Sequence, residues 1–208
     1  MGNKEIHIGI CGATRSGKST LATNIIKHFE SDIKKIIHLD EYFALELLYK
    51  YKNNWEIPEA ISWKDLLEDI SNDKYKIHYS KKTYIICEGF LLFKEPLFHD
   101  FDKSIFIWVS KEEAKKRRMQ TKPVSEDYFE NLVWPNYLKN NYHLAKMNKN
   151  KDERFGGDIL VLDSTKESIE EMTSKAIKFI LNDKTLNRDL KNEQNLLDII
   201  ETQYNELN

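Results

Sequence analysis

Residues 9–22 read GICGATRSGKSTLA, and within them Gly12-Ala13-Thr14-Arg15-Ser16-Gly17-Lys18-Ser19 fits the spacing G-x-x-x-x-G-K-[ST]. The run before it, Glu5 to Cys11, is short and rich in β-branched residues. The run after it, Lys18 to Phe29, has the period of an amphipathic helix. A strand, a glycine-bearing loop and a helix in that order make a phosphate cradle. Glycines let the backbone curl so that successive N–H groups face one anion, and the helix adds the positive end of its dipole. In such a loop Lys18 reaches the outer phosphates, the Ser19 hydroxyl is a ligand for Mg²⁺, and Thr20 stands beside it in the first turn.

Outward from the loop, strand and helix patterns alternate. Lys35–Leu39, Tyr84–Cys87, Ser104–Val109 and Asp158–Leu162 are short apolar runs without strict alternation, the pattern of strands buried on both faces. Helical periods fall at about 62–70, 111–119, 126–144 and 166–181, with Ser110 ahead of Glu112 and Glu113 as a capped start. The expected fold is α/β: a five-stranded parallel sheet with helices on both faces and a small helical lid over about 111–144. One domain spans 1–182. Residues 183–208 form a polar, helical C-terminal tail, whose Leu196, Leu197, Ile199 and Ile200 suggest a helix laid on the body.

Thirty-two Lys and Arg against thirty-four Asp and Glu leave a formal charge of −2, which argues against a dedicated nucleic-acid binder. The two cysteines, Cys11 and Cys87, lie in apolar runs and read as buried thiols of a reducing compartment. No run approaches the roughly 20 apolar residues of a membrane span. Gly2 is followed by Ile6 where N-myristoylation wants Ser or Thr. The expectation is a cytoplasmic protein without membrane or nucleic-acid partners, a monomer or a homodimer.

Ligands of open parallel sheets sit at the carboxyl ends of the strands. Asp40 and Glu88 fall there. An acid beside a terminal phosphate either takes the proton of an attacking hydroxyl or holds Mg²⁺. The basic run Lys115-Lys116-Arg117-Arg118 could close over phosphates and exclude water. A solvated basic face is the plainer reading of that run. A guanine-reading N-K-x-D is missed by both Asn148-Lys149-Asn150-Lys151 and Asn150-Lys151-Asp152-Glu153. The residues alone thus leave a small-substrate kinase, with a non-catalytic nucleotide-binding module as the alternative.

GICGATRSGKSTLA (9–22), LDEYF (39–43), WEIPEA (55–60), IICEGFLLF (85–93), EEAKKRR (112–118), YFENLVWPNYLK (128–139) and VLDSTK (161–166) occur in an order that resembles the nicotinamide riboside kinases, within the uridine-kinase-like P-loop kinases. The resemblance covers most of residues 5–181. It implies ATP- and Mg²⁺-dependent phosphorylation of the ribose 5′-hydroxyl of nicotinamide riboside for NAD synthesis, with nicotinic acid riboside as a second substrate. Uridine or cytidine is the alternative acceptor. By matching motif, Asp40 would be the general base, with Glu41, Tyr42 and Phe43 also on the nucleoside. Trp55 would stack on the pyridinium ring and Glu56 would bind ribose hydroxyls. Arg117 would serve ATP, Arg118 the substrate and the transition state, and Lys166 the adenine side. Ser19, Asp40 and Glu88 would hold the metal. The chain departs from the family in having Trp55 for a common Tyr and Glu56 for a common Asp. Its lid loop MQTKPVSED (119–127) is short and lacks a second stacking tyrosine, and Lys122 stands where some members have a further arginine.

Overall fold

The computed structural model describes residues 5–71, 82–94, 101–149 and 159–207; Gly2, Asp158 and the stretch 150–153 discussed above lie outside them. Five strands, β1 (Glu5–Gly12), β2 (Ile33–His38), β3 (Thr83–Glu88), β4 (Lys103–Trp108) and β5 (Ile159–Asp163), form one sheet in the order β2-β3-β1-β4-β5. Every pair is parallel. The order reverses around β1, so the crevice at its carboxyl end is the expected ligand position.

The strands alternate between two cores. Ile6, Ile8 and Ile10 of β1, Ile86 of β3, Ile105 and Ile107 of β4 and Leu160 and Leu162 of β5 face one way. They pack against helices α1 (Lys18–Phe29) and α8 (Ile169–Ile180), through Leu21, Ile25, Met172 and Phe179. Ile85 and Cys87, Phe106, and Ile159 and Val161 face the other way, toward α3 (Trp63–Ser71) and the helices that carry the lid. Both faces are therefore apolar, which is why the sequence shows continuous runs rather than alternation. Cys11 and Cys87 are buried and outside any disulfide.

The remaining α-helices among the described residues are α2 (Leu45–Lys50), α4 (Lys111–Thr121), α5 (Glu126–Tyr128), α6 (Trp134–Asn141), α7 (Leu144–Lys149) and α9 (Leu190–Glu206). Ser110 caps α4 by accepting from the Glu113 N–H. Ser168 and Glu171 form a capping box on α8. The single helix read over 126–144 is instead α5 and α6 joined by a π-helical stretch, Phe129–Val133, and it stops before α7. Pro135 explains the widened turn. It has no N–H to offer the carbonyl four residues back, and its ring crowds that carbonyl. The side chain of Asn136 donates to the Leu132 carbonyl at 2.8 Å, satisfying part of what the irregular turn leaves open.

Residues 183–208, set apart above as a tail, are helical over α9. Leu196, Leu197 and Ile200 sit in the same core as the lid-side helices. No helix among the described residues is long and apolar enough to cross a membrane.

Candidate active site

At the carboxyl end of β1 the loop 12–17 turns tightly. A Cβ on Gly12 would lie 2.4 Å from the Ile107 carbonyl oxygen, so only glycine lets β1 and β4 approach there. Gly17 has φ 100° as the N-cap of α1, and Arg15 takes the left-handed region at φ 57°. Ala13, Thr14, Arg15, Gly17, Lys18, Ser19 and Thr20 line a cleft of about 780 Å³. Gly12 and Ser16 lie buried beneath it.

Lys18 Nζ donates to the Ala13 carbonyl at 2.7 Å. Burial pushes the Lys18 ammonium below its ordinary range, opposed first by the Glu88 charge, then by Cys11, Asp40 and Glu56. Ser19 Oγ donates to Glu88 Oε1 at 3.0 Å. Asp40, in the short turn after β2, lines the same cleft and is exposed to it. Among the described residues its carboxylate has no hydrogen bond or ion pair.

The cleft continues to Trp55 and Glu56. Trp55 is 45% exposed and packs edge-on against Phe43 at 4.8 Å, and Phe43 is stacked at 6.2 Å on Phe90. Burial raises the Glu56 carboxyl above the usual carboxylate range. Arg118 opposes that rise most strongly, Asp40 adds to it, and Lys18 and Lys122 oppose it further. Arg118 and Lys122 line the cleft with Glu56.

Successive helix positions point about 100° apart, so Arg117 and Arg118 of α4 diverge. Arg117 Nε donates to Glu113 Oε1 at 2.8 Å. Its Nη2 reaches the Ser164 carbonyl at 2.7 Å, and its Nη1 the Ser164 hydroxyl at 3.2 Å and the Arg15 carbonyl at 3.4 Å. It thus ties the lid helix to the phosphate loop and to the turn after β5, while Arg118 stands with Glu56.

Besides Gly12 and Ser16, three expected residues do not line the cleft. Tyr42 directs its hydroxyl to Asp69 Oδ2 at 2.7 Å, and its backbone carbonyl accepts from the Ser62 N–H. That makes it a strut between the β2 turn and α3, and burial and Asp69 push its phenol up. Glu41 is exposed on the outer side of the turn. Lys166 is solvent-facing and pairs at 3.7 Å with Asp163.

Conversely, Phe90, Val133, Trp134, Tyr137 and Tyr128 line the cleft without having been singled out. Tyr128 matters most. Burial, with the nearby Glu56 charge, raises its phenol; Arg118 opposes this, as does the Trp55 backbone facing its hydroxyl. A second aromatic therefore joins the Trp55–Glu56–Arg118 corner, from the end of α5 rather than from the shortened loop.

No family model matches the chain. It is 33% identical over 154 residues to human nicotinamide riboside kinase 1, spanning 65% of this chain and 76% of the human protein. It is 27% identical over 165 residues to a uridine kinase of Bacillus thuringiensis, 64% of this chain and 78% of that one. Among solved structures, a thymidylate kinase from Candida albicans superposes with a TM-score of 0.56 at 17% identity, covering 90% of this chain and 96% of that chain; at that identity the likeness concerns the fold.

Proposed function

The chain belongs to the nicotinamide riboside kinase family, and on that premise we propose that it transfers the γ-phosphoryl group of ATP to the ribose 5′-hydroxyl of nicotinamide riboside, giving the mononucleotide and ADP. The observation that carries the reading is one continuous cleft. It joins the phosphate loop, the exposed Asp40, and Trp55 and Glu56 with Arg118.

In this reading the loop and Lys18 hold the phosphates, and Arg117 closes the nucleotide side. Phosphoryl transfer calls mainly for positioning and for neutralising charge, which Lys18 and the arginines supply. Asp40 accepts the proton of the attacking hydroxyl. An acid open to the cleft, with no competing partner among the described residues, suits that task. Trp55 presents an indole face to the pyridinium, a cation–π contact worth roughly 1–2 kcal/mol when water is excluded. Tyr128 supplies the second aromatic wall, and Glu56 accepts from ribose hydroxyls. Ring stacking reads shape more than the amide, so nicotinic acid riboside is a second substrate.

The oxygen donors fit a magnesium ion. Mg²⁺ keeps several waters and takes one or two protein oxygens beside phosphate, and Ser19, Glu88 and Asp40 offer such a set. The Ser19 proton is directed at Glu88, which leaves the hydroxyl lone pairs for a cation. Bound there by Ser19, Glu88 and Asp40, the ion would supply positive charge to offset that of the phosphates.

The test is a coupled ADP-release assay with MgATP and a panel of nicotinamide riboside, nicotinic acid riboside, uridine, cytidine and adenosine. The reading predicts that the two pyridine ribosides lead by at least about tenfold in kcat/KM, or about 1.4 kcal/mol of transition-state discrimination. Preference for a pyrimidine nucleoside would favour uridine-kinase activity. No turnover of any nucleoside would leave a nucleotide-binding module.

A further inference from the structure

The metal corner holds one residue with no role assigned so far. His38 is the last residue of β2 and Glu88 the last of β3, and the parallel register pairs the two directly. His38 Nδ1 lies 2.9 Å from Glu88 Oε1, the same oxygen that accepts from Ser19 at 3.0 Å. A carboxylate oxygen accepts, so Nδ1 carries the proton. Glu88 Oε2 makes no hydrogen bond among the described residues. We infer that His38 is a positioning residue that fixes the Glu88 carboxylate for the divalent cation carried with the nucleotide. The inference rests on the metal assignment proposed above.

The strand backbones around this pair are already fixed. Gly89 lies so close to Leu39 that an added Cβ would be 2.3 Å from the Leu39 Cβ, and its N–H donates to the Ile10 carbonyl at 3.0 Å. The freedom that remains belongs to the Glu88 side chain, which is long and 10% exposed. Ser19 gives it a single hydrogen bond, at 3.0 Å, about which the carboxylate can still turn. A second donor on Oε1 from the neighbouring strand pins the carboxylate and leaves Oε2 for the metal or its waters. The His38 side chain is 40% exposed, so the core does not need it as filling.

The test is calorimetric titration of the full-length protein with ADP, once with Mg²⁺ and once with EDTA. The ratio of the two affinities is the contribution of the metal. His38→Phe keeps the ring and removes the donor, and it should shrink that ratio by about three- to tenfold, the weight of one hydrogen bond, with ADP affinity in EDTA unchanged. His38→Asn, which can still donate, should recover part of the ratio. Melting temperatures measured alongside report folding separately. An unchanged ratio in His38→Phe overturns the inference, as does an equal loss of ADP affinity with and without Mg²⁺. No nucleoside takes part, so a wrong acceptor assignment would show in the substrate panel and leave this result standing. A wild type whose ADP affinity ignores Mg²⁺ would overturn the inference together with the metal assignment.

Discussion

Asp40 and Glu56 share one cleft but differ in what surrounds them. Asp40 is open to solvent, and its expected loss of function is specific. Asp40→Asn should retain ATP affinity and lose most of kcat, by about 100-fold or more, as removal of a general base does. Unchanged turnover would take Asp40 out of the mechanism. Burial, with the Asp40 charge, disfavours the charged form of Glu56, and Arg118 is the main compensation. Its pKa is raised on folding, so above that raised value the folded protein bears the cost of ionising it. Below the ordinary carboxylate range both states are protonated and the cost vanishes. Glu56→Gln should therefore raise the melting temperature at neutral pH, with a gain that fades as pH falls toward about 4, while KM for the nucleoside rises. A melting temperature lowered at neutral pH would show that the attraction of the Arg118 charge outweighs the burial. The phosphate loop was legible because its chemistry is local, eight residues at fixed spacing. Trp55 and Glu56 were found through resemblance, since neither spacing nor period marks them. His38 and Tyr128 were missed for physical reasons. One reaches Glu88 only through the strand register, and the other is carried to the cleft beside a π-turn that a helical period of 3.6 cannot express.

At the scale of elements, the lid is two helices clamped together. Lys111 pairs with Glu130 at 2.6 Å, and Lys115 with Glu130 at 2.8 Å and with Glu126. Exposed pairs of this kind add little stability individually, but here they bridge α4 to the α5 end and keep Arg117, Arg118 and Tyr128 on one body. Arg117 then joins that body to the phosphate loop and to Ser164. Lysine keeps the charge but has no planar fork with which to serve Glu113, Ser164 and the Arg15 carbonyl at once. Arg117→Lys should raise KM for ATP by about tenfold and leave KM for the nucleoside within about twofold. Steady-state kinetics with each substrate varied in turn decides it, and an equal rise in both constants would mean that Arg117 orders the whole lid rather than the nucleotide side. The basic run was readable as a helix with a capped start. The assignment of Arg117 to ATP and Arg118 to the substrate came through resemblance, whereas the hold of Arg117 on Ser164 depends on a tertiary contact that no period expresses.

Across the whole molecule, the two edge strands are β2 and β5, and the C-terminal segment answers the open edge of β5. The Val161 N–H donates to Glu193 Oε2 at 3.0 Å, and Arg188 Nη2 donates to the Ile159 carbonyl at 2.6 Å. Arg188 and Glu193 also pair with each other, at 2.6 Å and 2.9 Å. An unpaired strand edge invites association with another chain, and here side chains from a later segment occupy it. Behind them Leu196, Leu197 and Ile200 complete the core, and Tyr204 stacks on Tyr142 at 4.1 Å. The composition of 183–208 is polar because a helix on the outside of a domain needs only a narrow apolar stripe, and so the sequence read as a tail. The structure gives it the work of closing the sheet. Leu197→Ala should cost about 2–5 kcal/mol as a buried leucine truncation. Glu193→Ala should cost about 3–5 kcal/mol, because it breaks the buried pair with Arg188 and removes the carboxylate that accepts from the Val161 N–H. Ending the chain at Asn182 removes all of these contacts together, so the shortened protein should unfold at much lower urea than the full chain or associate through β5. Urea unfolding with light scattering separates the cases: a truncated protein that stays monomeric with an unchanged midpoint would return residues 183–208 to the status of an appendage, whereas loss of the midpoint together with loss of ADP binding would make α9 part of the catalytic domain.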